Sequence, residues 1–214
     1  MAPTIIADTH DKIPLSSEEL REFHLDTPLE VLMLEDVGPD SISVQFSLLE
    51  NEDSGTVSVE LIEDGNVLEV VGNIDFVKLN DQAPCLDNGV QIKSAYFNAD
   101  YRGIGLGCTA YELIAKHHLL VSDEIQTRDG SALWKFKLGD HDELEINIII
   151  RPANGDPFTM CDSDDHPIVY NYTKEELEPK IWGLERPDDE SHPSIDASRD
   201  FNRENVVLVA IRRS

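Results

Sequence analysis

The sequence predicts a mixed α/β fold, of the α+β kind, in which a mostly antiparallel sheet carries flanking helices and a C-terminal extension. Three observations support this prediction: alternating apolar segments over 29–79, one apolar pattern of helical period over 104–118, and further short strand-like and helix-like segments after it. A chain of 214 residues fits one domain with an appendage, and we place the division at residue 150, giving a domain 1–150 and an extension 151–214.

The first part of the chain has the pattern of an antiparallel meander. A capping box formed by Ser16 and Glu19 predicts a short helix before it. Glycine or acidic turns separate the apolar segments, and Asp64 followed by Gly65 is a strong hairpin signal because such a tight turn needs positive φ. The predicted strands are 29–34, 42–49, 56–62 and 66–79.

The second part alternates strands with helices. A strand over 89–97 leads into a glycine turn, and from Ile104 to His118 the apolar and small residues recur on one helical face. A capping box at Thr173 and Glu176 predicts another helix in the extension. The remaining predicted elements are a short buried strand at 119–123, a helix around 131–138, a strand at 143–150 and a closing strand at 205–213.

The composition excludes several function classes. The chain has 43 acidic and 17 basic residues, a formal net charge of -26, so its general surface repels nucleic acid and anionic membranes. Three widely spaced cysteines favour neither a disulfide framework nor a zinc site. The acidic stretch 161–166 is too crowded for tetrahedral metal ligation, and we expect no metal. Without a signal-like or membrane-spanning segment, we expect a cytoplasmic protein.

The glycine turn predicts an anion site. Gly103, Gly105 and Gly107 stand between a strand and a helix, where unpaired N–H groups and the positive end of the helix dipole meet. Without a Cβ, glycine lets a phosphate approach the backbone, and Arg102 either adds charge or locks the turn. A Walker A loop needs lysine after its last glycine, where this chain has Cys108, and the Rossmann fingerprint has a different glycine spacing.

The segment "YFNADYRGIGLG" resembles the acetyl-CoA loop of the GNAT acetyltransferase superfamily, whose pattern of Arg or Gln, two residues, Gly, one residue, then Gly or Ala matches at Arg102, Gly105 and Gly107. The resemblance covers 29–150 by order of elements and is specific over 89–138. It implies a GNAT-like domain in which a bulged strand pairs with pantetheine and the turn amides bind the pyrophosphate. The implied cofactor residues are Phe97, Asn98, Arg102, Gly103, Ile104, Gly105, Leu106, Gly107 and Cys108.

Acetyl transfer also needs groups that move protons. The catalytic candidates are Asp123, Tyr96 and Ser122, at the ends of two predicted strands. The chain departs from the family pattern at Trp134, where members often place a tyrosine, and in having no glutamate on the strand before the loop. Further candidates, for each of which a structural role is the simpler interpretation, are Tyr101, Tyr111, His117 and His118.

Two functional hypotheses follow. The first is a GNAT-like N-acetyltransferase that uses acetyl-CoA and acetylates a cationic small molecule or a basic protein. The second is an interaction protein that keeps the fold without the chemistry and uses its acidic surface to occupy a basic or DNA-binding site on a host enzyme. Trp134 and the missing glutamate favour the second hypothesis, and the intact glycine turn favours the first. The segment "LVSDEIQT…GSALWKFKL" also resembles acetyltransferase-like proteins carried by bacteriophages. Neither hypothesis involves direct nucleic-acid or membrane binding. The extension is expected to complete the sheet, cover the acceptor cleft or pair with a second copy as a homodimer.

Overall fold

The computed structural model describes residues 4–6, 27–79, 88–122, 125–127, 130, 132–150, 168–169 and 206–213. The fold is mixed α/β with mostly antiparallel strands. The chain divides by its packing into two units, a meander unit of residues 10–80 and 90–118 and a terminal unit of residues 1–9, 81–89 and 119–214. Strands from both sides of residue 150, the predicted division, lie in the terminal unit.

The strands follow the alternating apolar segments closely, because each alternation gives one face that can be buried. The helix α1 covers Leu106–Ala115. The strands are β1 (Thr4–Ile6), β2 (Glu30–Val37), β3 (Ile42–Glu50), β4 (Ser54–Glu63), β5 (Asn66–Lys78), β6 (Gly89–Phe97), β7 (Leu119–Val121), β8 (Ile125–Thr127), β9 (Leu144–Ile150), β10 (Ile168–Val169) and β11 (Val206–Arg212).

The meander unit is built on the strands β2 to β6, each antiparallel to the next in chain order. The predicted hairpin between β4 and β5 is present, and Asp64 and Gly65 have φ values of 51° and 75° in its turn. The predicted helix is shorter than expected, because Gly105 has φ 95° and a left-handed residue cannot continue a helix toward Ile104.

One face of this sheet forms the hydrophobic core under α1. The helix contacts β3 and β4 and buries Leu106, Ala110, Leu113 and Ile114. Each fully buried aliphatic side chain contributes about 1.5–3 kcal/mol, so packing rather than intrinsic helix propensity stabilises α1. The sheet residues on this face, each at most 1% exposed, are Val44, Phe46, Leu48, Val57, Val59, Ile74 and Phe76.

Over β3, β4 and β5 the opposite face of the sheet is polar and yet largely buried. Asp75 accepts hydrogen bonds from the Thr56 hydroxyl at 2.8 Å and the Ser94 hydroxyl at 2.6 Å. Glu60 accepts from the Ser58 hydroxyl and the Gln45 amide, both at 3.2 Å. Each carboxylate thus receives two donors, at least one of them from a neighbouring strand, and such donors offset the cost of removing a carboxylate from water. Strand alternation alone predicts that this face is exposed to solvent.

The C-terminal end of α1 is fixed to the sheet by two glutamates. Glu50 of β3 lies 2.7 Å from Nε2 of His118 and 3.2 Å from Nζ of Lys78. Glu30 of β2 lies 2.8 Å from Nζ of Lys116 and 2.6 Å from Nε2 of His117. The positions of these cationic side chains also suit the negative end of the helix dipole. These contacts attach consecutive residues of the chain to two different strands.

Two glycines allow aromatic rings to lie over the sheet. Gly55 is paired with Phe76 across β4 and β5, and Gly72 is paired with Phe97 across β5 and β6. A Cβ on either glycine would overlap the ring of its partner. The Phe97 ring is also 3.6 Å from where a Cβ of Gly107 would stand, so it packs against the first turn of α1.

The terminal unit contains the last strand as an internal element. β11 pairs with β9 over seven residues on one side and with β7 on the other, antiparallel in both cases. β10 pairs antiparallel with β9, and β1 pairs in parallel with β8. Of the roles left open for the extension, its final strand completes a sheet. The predicted helix around 131–138 is observed as a π-helical segment, Leu133–Leu138.

Some predicted elements lie outside the described residues, namely the helices capped at Ser16 and at Thr173. The short strands β1 and β8 were not predicted, since three residues are too few to display a period. Within the described part of the chain, no helix has both the length and the apolar character needed to cross a membrane.

Gly72→Ala should destabilise the protein by about 1–3 kcal/mol, because the new methyl group meets the Phe97 ring and stands 2.8 Å from the carbonyl oxygen of Tyr96. Denaturant unfolding measures the effect. In a Phe97→Leu background the cost of Gly72→Ala should fall, since part of the overlap is with the ring. An equal cost in both backgrounds would contradict this packing.

Glu50→Ala should cost about 1–2 kcal/mol near neutral pH, because it removes the hydrogen-bond partner of the buried His118. Glu30→Ala, at a more exposed pair, is the matched control and should cost less than about 1 kcal/mol. Burial raises the pKa of Glu50, but hydrogen bonds from His118 and Lys78 outweigh it and hold this pKa below its ordinary 4.5.

The sign of the pH dependence follows from that lowered pKa. The stabilisation by Glu50 is complete above pH 4.5 and is lost as the pH falls through the lower folded-state pKa. The difference in unfolding free energy between the unsubstituted protein and Glu50→Ala should therefore shrink on acidification below 4.5. A difference that grows there would overturn this account of the pair.

Candidate functional site

The strand that leads into the glycine turn is bulged. Asp75 of β5 is opposite Ser94, and the next residue, Phe76, is opposite Ile92, so Lys93 is an extra residue on β6. A bulge of this kind bends its strand and strengthens the local twist. It lies four residues before Phe97, at which β6 ends. The bend therefore changes the direction of the segment that delivers the chain to the turn.

A single 3₁₀ turn, Ala99–Tyr101, follows β6. Asn98 is its N-cap, and the Asn98 side chain accepts a hydrogen bond from the N–H of Asp100 at 3.4 Å. The N–H of Asn98 donates to the carbonyl of Val71 at 2.8 Å, which keeps the end of β6 paired with β5. Asn98 thus has a structural role in addition to its predicted place in a cofactor site.

Arg102 locks the turn, which is one of the two roles predicted for it. Its Nε donates to the carbonyl oxygen of Phe97 at 2.9 Å, and the side chain is exposed. Because the N–H of Asn98 points toward β5, strand alternation directs the Phe97 carbonyl to the other edge of β6. Arg102 therefore binds the strand edge to which the GNAT resemblance assigns the pantetheine arm.

The glycines at the turn face open space. Gly103 and Gly105 have φ values of 79° and 95°, which other residues adopt only with strain, and both are exposed. Among the described residues, no heavy atom would lie within 4 Å of a Cβ at either position. Unlike Gly55 and Gly72, these two glycines are therefore not required by a neighbouring side chain. They leave the mouth of the turn clear.

The N-terminus of α1 has no side-chain cap. Gly105 is the N-cap residue, and no side chain accepts a hydrogen bond at this cap. The first intrahelical bond is donated by the N–H of Thr109 to the carbonyl of Gly105 at 3.2 Å, so the N–H groups of Leu106 and Gly107 precede the helical ladder. The first turn contains no acidic residue, although the chain has 43.

Two contacts anchor the turn to the meander. Tyr101 is hydrogen bonded to Glu69 of β5; burial, and next this hydrogen bond, raise the pKa of Tyr101 above its ordinary 10.0. Ile104 packs on the turn between β2 and β3, with its Cγ2 at 3.4 Å from where a Cβ of Gly38 would stand. The exposed glycines are thus held between fixed neighbours, a preorganised geometry that lowers the entropic cost of binding a ligand.

The arrangement is chemically suited to an anion. Main-chain N–H groups at a helix N-terminus bind phosphate without a cationic side chain, and the dipole adds the equivalent of about half a positive charge there. The predicted cofactor residues Phe97, Asn98 and Arg102 meet in this turn with the glycines, and Leu106 is buried behind it. Cys108 is half-buried one turn into α1.

The structure describes two of the three predicted catalytic residues, Tyr96 and Ser122. Tyr96 is half-buried on the polar face of the sheet, opposite Asn73. Ser122 is fully buried in the terminal unit, where its hydroxyl accepts the N–H of Leu208 at 3.1 Å. Asp123 lies outside the described residues. Ser122 thus has a structural role in β-strand pairing.

The other candidates have structural roles as well. Tyr111 is 3% exposed and packs in the core, and His117 and His118 bind the glutamates described above. Trp134, which replaces the tyrosine expected from the family pattern, is 2% exposed in the π-helical segment of the terminal unit. None of the four residues is an exposed proton donor in the described structure.

Sequence reasoning missed the buried polar groups. Asn147 of β9 is 1% exposed, and its Oδ1 accepts no hydrogen bond from the described residues. Its signal is a polar residue inside the apolar run "INIII". On the polar sheet face the Glu60 side chain is buried and that of Asp75 is half-buried. The only sequence signal for either was strand alternation, which indicates solvent exposure.

The chain matches no family model, no curated protein and no solved structure. The site is therefore interpreted from its own geometry and chemistry.

Ser122→Ala should destabilise the protein by about 1–3 kcal/mol, because it leaves the buried N–H of Leu208 without its acceptor. Ser43→Ala is the matched control: this half-buried serine of β3 makes no side-chain hydrogen bond with other described residues, so its loss should cost less than about 0.5 kcal/mol. Chemical denaturation measures both. Equal effects would refute the structural role of the Ser122 hydroxyl.

Proposed function

We propose that the protein is a GNAT-like N-acetyltransferase that uses acetyl-CoA to acetylate an amine, on a small molecule or on a protein lysine. Acetyl-CoA, when bound, would supply an acetyl thioester: a C–N bond to the amine forms, the C–S bond breaks, and the departing thiolate takes up the proton released from the new amide nitrogen. The proposal includes a GNAT-like arrangement of the α/β fold.

One observation carries this proposal: an uncapped helix N-terminus opens onto clear space directly after a bulged strand. The bulge at Lys93, the exposed glycines 103 and 105 and the start of α1 at Leu106 follow one another in the order that the GNAT resemblance implies. The described residues fit the pyrophosphate of coenzyme A, because they offer main-chain donors and no side chain that blocks them.

The residues of the turn would hold the cofactor by main-chain contacts. The N–H groups of Leu106 and Gly107 would donate to pyrophosphate oxygens, and Gly103 and Gly105 would let these oxygens approach. The Arg102 side chain, held by the carbonyl of Phe97, would stiffen the loop rather than reach the phosphate. Residues Tyr96 and Asp123 stay predictions for proton transfer.

The acidic surface suits a cationic acceptor. A net charge of -26 attracts amines, which are protonated at neutral pH, and raises their local concentration near the protein. The amine must lose its proton before it attacks the thioester, so a base near the acceptor is required.

A second function has its own supporting observation. Trp134, where the resemblance implies a tyrosine, and the catalytic candidate Ser122 are both buried in the terminal unit, and the hydroxyl of Ser122 binds main chain. This favours an interaction protein that keeps the cofactor-binding fold but performs no transfer. Such a protein would use its acidic surface to bind a basic region of a host protein.

Titration calorimetry with coenzyme A tests the cofactor site. Gly105→Ala should weaken binding on the order of tenfold or more, because a methyl group enters the space over the N–H groups and φ 95° is strained for alanine. Gly65→Ala is the matched control, since Gly65 has φ 75° and equally open surroundings, but lies in the β4–β5 turn. It should lose similar stability and keep its affinity.

The absence of heat with the unsubstituted protein, or equal loss of affinity in both variants, would remove the cofactor proposal. Release of free thiol from acetyl-CoA, measured with polyamines and with lysine-rich proteins as acceptors, then separates the two functions. Binding with turnover supports the transferase. Binding without turnover across these acceptors supports the interaction protein.

A further inference from the structure

β2 forms an edge with an exposed apolar stripe. Among the strands that the structure describes, β2 pairs only with β3. Leu29, Val31 and Met33 are 50%, 51% and 44% exposed, and their alternation places them on one face of the sheet. An edge strand leaves a row of N–H and C=O groups open to another strand. The apolar stripe therefore lies on a strand whose backbone can still form hydrogen bonds.

This edge has little of the protection that soluble proteins give their edge strands. Lysine is the commonest protecting residue, yet the chain has no lysine or arginine from residue 22 to residue 77. A bulge between Leu34 and Val37, where Asp36 has φ 57°, interrupts the far end of β2. The regular part of the edge therefore ends at Leu34.

The charges around β2 disfavour its pairing with the β2 strand of a second copy of the chain. Glu35 and Asp36 on β2, and Asp40 in the turn after it, are exposed, whereas Glu30 is already bound by Lys116. An antiparallel pair of two β2 strands centred between residues 32 and 33 would set Glu30 of each copy opposite Glu35 of the other. Like charges in such positions are destabilising.

The same charges favour a basic partner. Over 27–79 and 90–118 the meander unit has fourteen acidic and four basic residues. A strand with lysine or arginine beside its apolar residues would meet both the stripe and the carboxylates at the end of β2. Main-chain hydrogen bonds would supply affinity, and the alternate side chains would supply specificity.

We propose that the β2 edge binds an extended, basic segment of another protein by strand addition, with the apolar residues of that segment packed on Leu29, Val31 and Met33. The stripe shares no residue with the glycine turn, and the proposal does not depend on the acetyltransferase function. It identifies a place on the molecule where a basic protein, whether acceptor or host target, would be held.

The probe is a fluorescently labelled synthetic peptide of alternating valine and threonine with two lysines at each end, and polarisation reports its binding to the full chain. Two matched peptides have glutamates in place of the lysines, or N-methyl groups on alternate amides that prevent strand pairing. The lysine peptide should bind, and the other two should bind at least about tenfold more weakly. Hydrogen exchange of the β2 amides should slow only with the lysine peptide.

Met33→Lys should weaken binding of the lysine peptide about tenfold, because it removes apolar contact and adds a like charge. Leu68→Lys is the matched control: Leu68 is 60% exposed on β5, away from the β2 edge, and its substitution should change affinity less than about twofold. Circular dichroism checks that both variants fold. The proposal would be overturned if the lysine peptide did not bind, if either matched peptide bound equally well, or if the two substitutions had equal effects. It would also be overturned by a dimer of the chain that Met33→Lys dissociates.

Discussion

The Phe97 ring holds together the parts on which the candidate site depends. It lies over Gly72, where a side chain would exclude it, and reaches the first turn of α1 at Gly107. The carbonyl of the same residue receives Arg102, which closes the turn between strand and helix. One aromatic residue at the end of β6 thus links the sheet, the turn and the helix. The missing Cβ at Gly72 is the condition for this arrangement.

The two ends of α1 differ in their side-chain contacts. At the C-terminal end, the consecutive side chains 116–118 bind Glu30 and Glu50. Along the helix, the apolar face is buried. At the N-terminal end, no side chain caps the helix, and the glycines before it are exposed. A helix fixed along its length can leave its first N–H groups to a ligand, since its stability does not depend on a cap.

An anion site on a protein of charge -26 is physically reasonable because the relevant forces act over different distances. Charges at the protein surface are screened beyond about 8–10 Å at physiological ionic strength, whereas hydrogen bonds from main-chain N–H groups act at contact. The first turn of α1 has no acidic residue to oppose an anion. Exposed acids do lie beside the turn, since Asp40, Glu69 and Asp100 all act on Tyr101, so an anion would be held there by contact hydrogen bonds against the surrounding charge. Glu35 and Asp36 are exposed on β2, where they favour cations. One chain can therefore present surfaces of opposite preference.

The strands of the meander, the Asp64 turn and the glycine turn before a helix could be predicted from local patterns, because alternation, helical period and positive-φ residues are local properties. Local patterns did not reveal that Arg102 binds the Phe97 carbonyl, that the Ser122 hydroxyl binds Leu208, or that the polar sheet face is largely buried. Each of these depends on which residue from another part of the fold supplies the partner. A hydroxyl or guanidinium has the same local signal whether it binds a ligand, water or main chain.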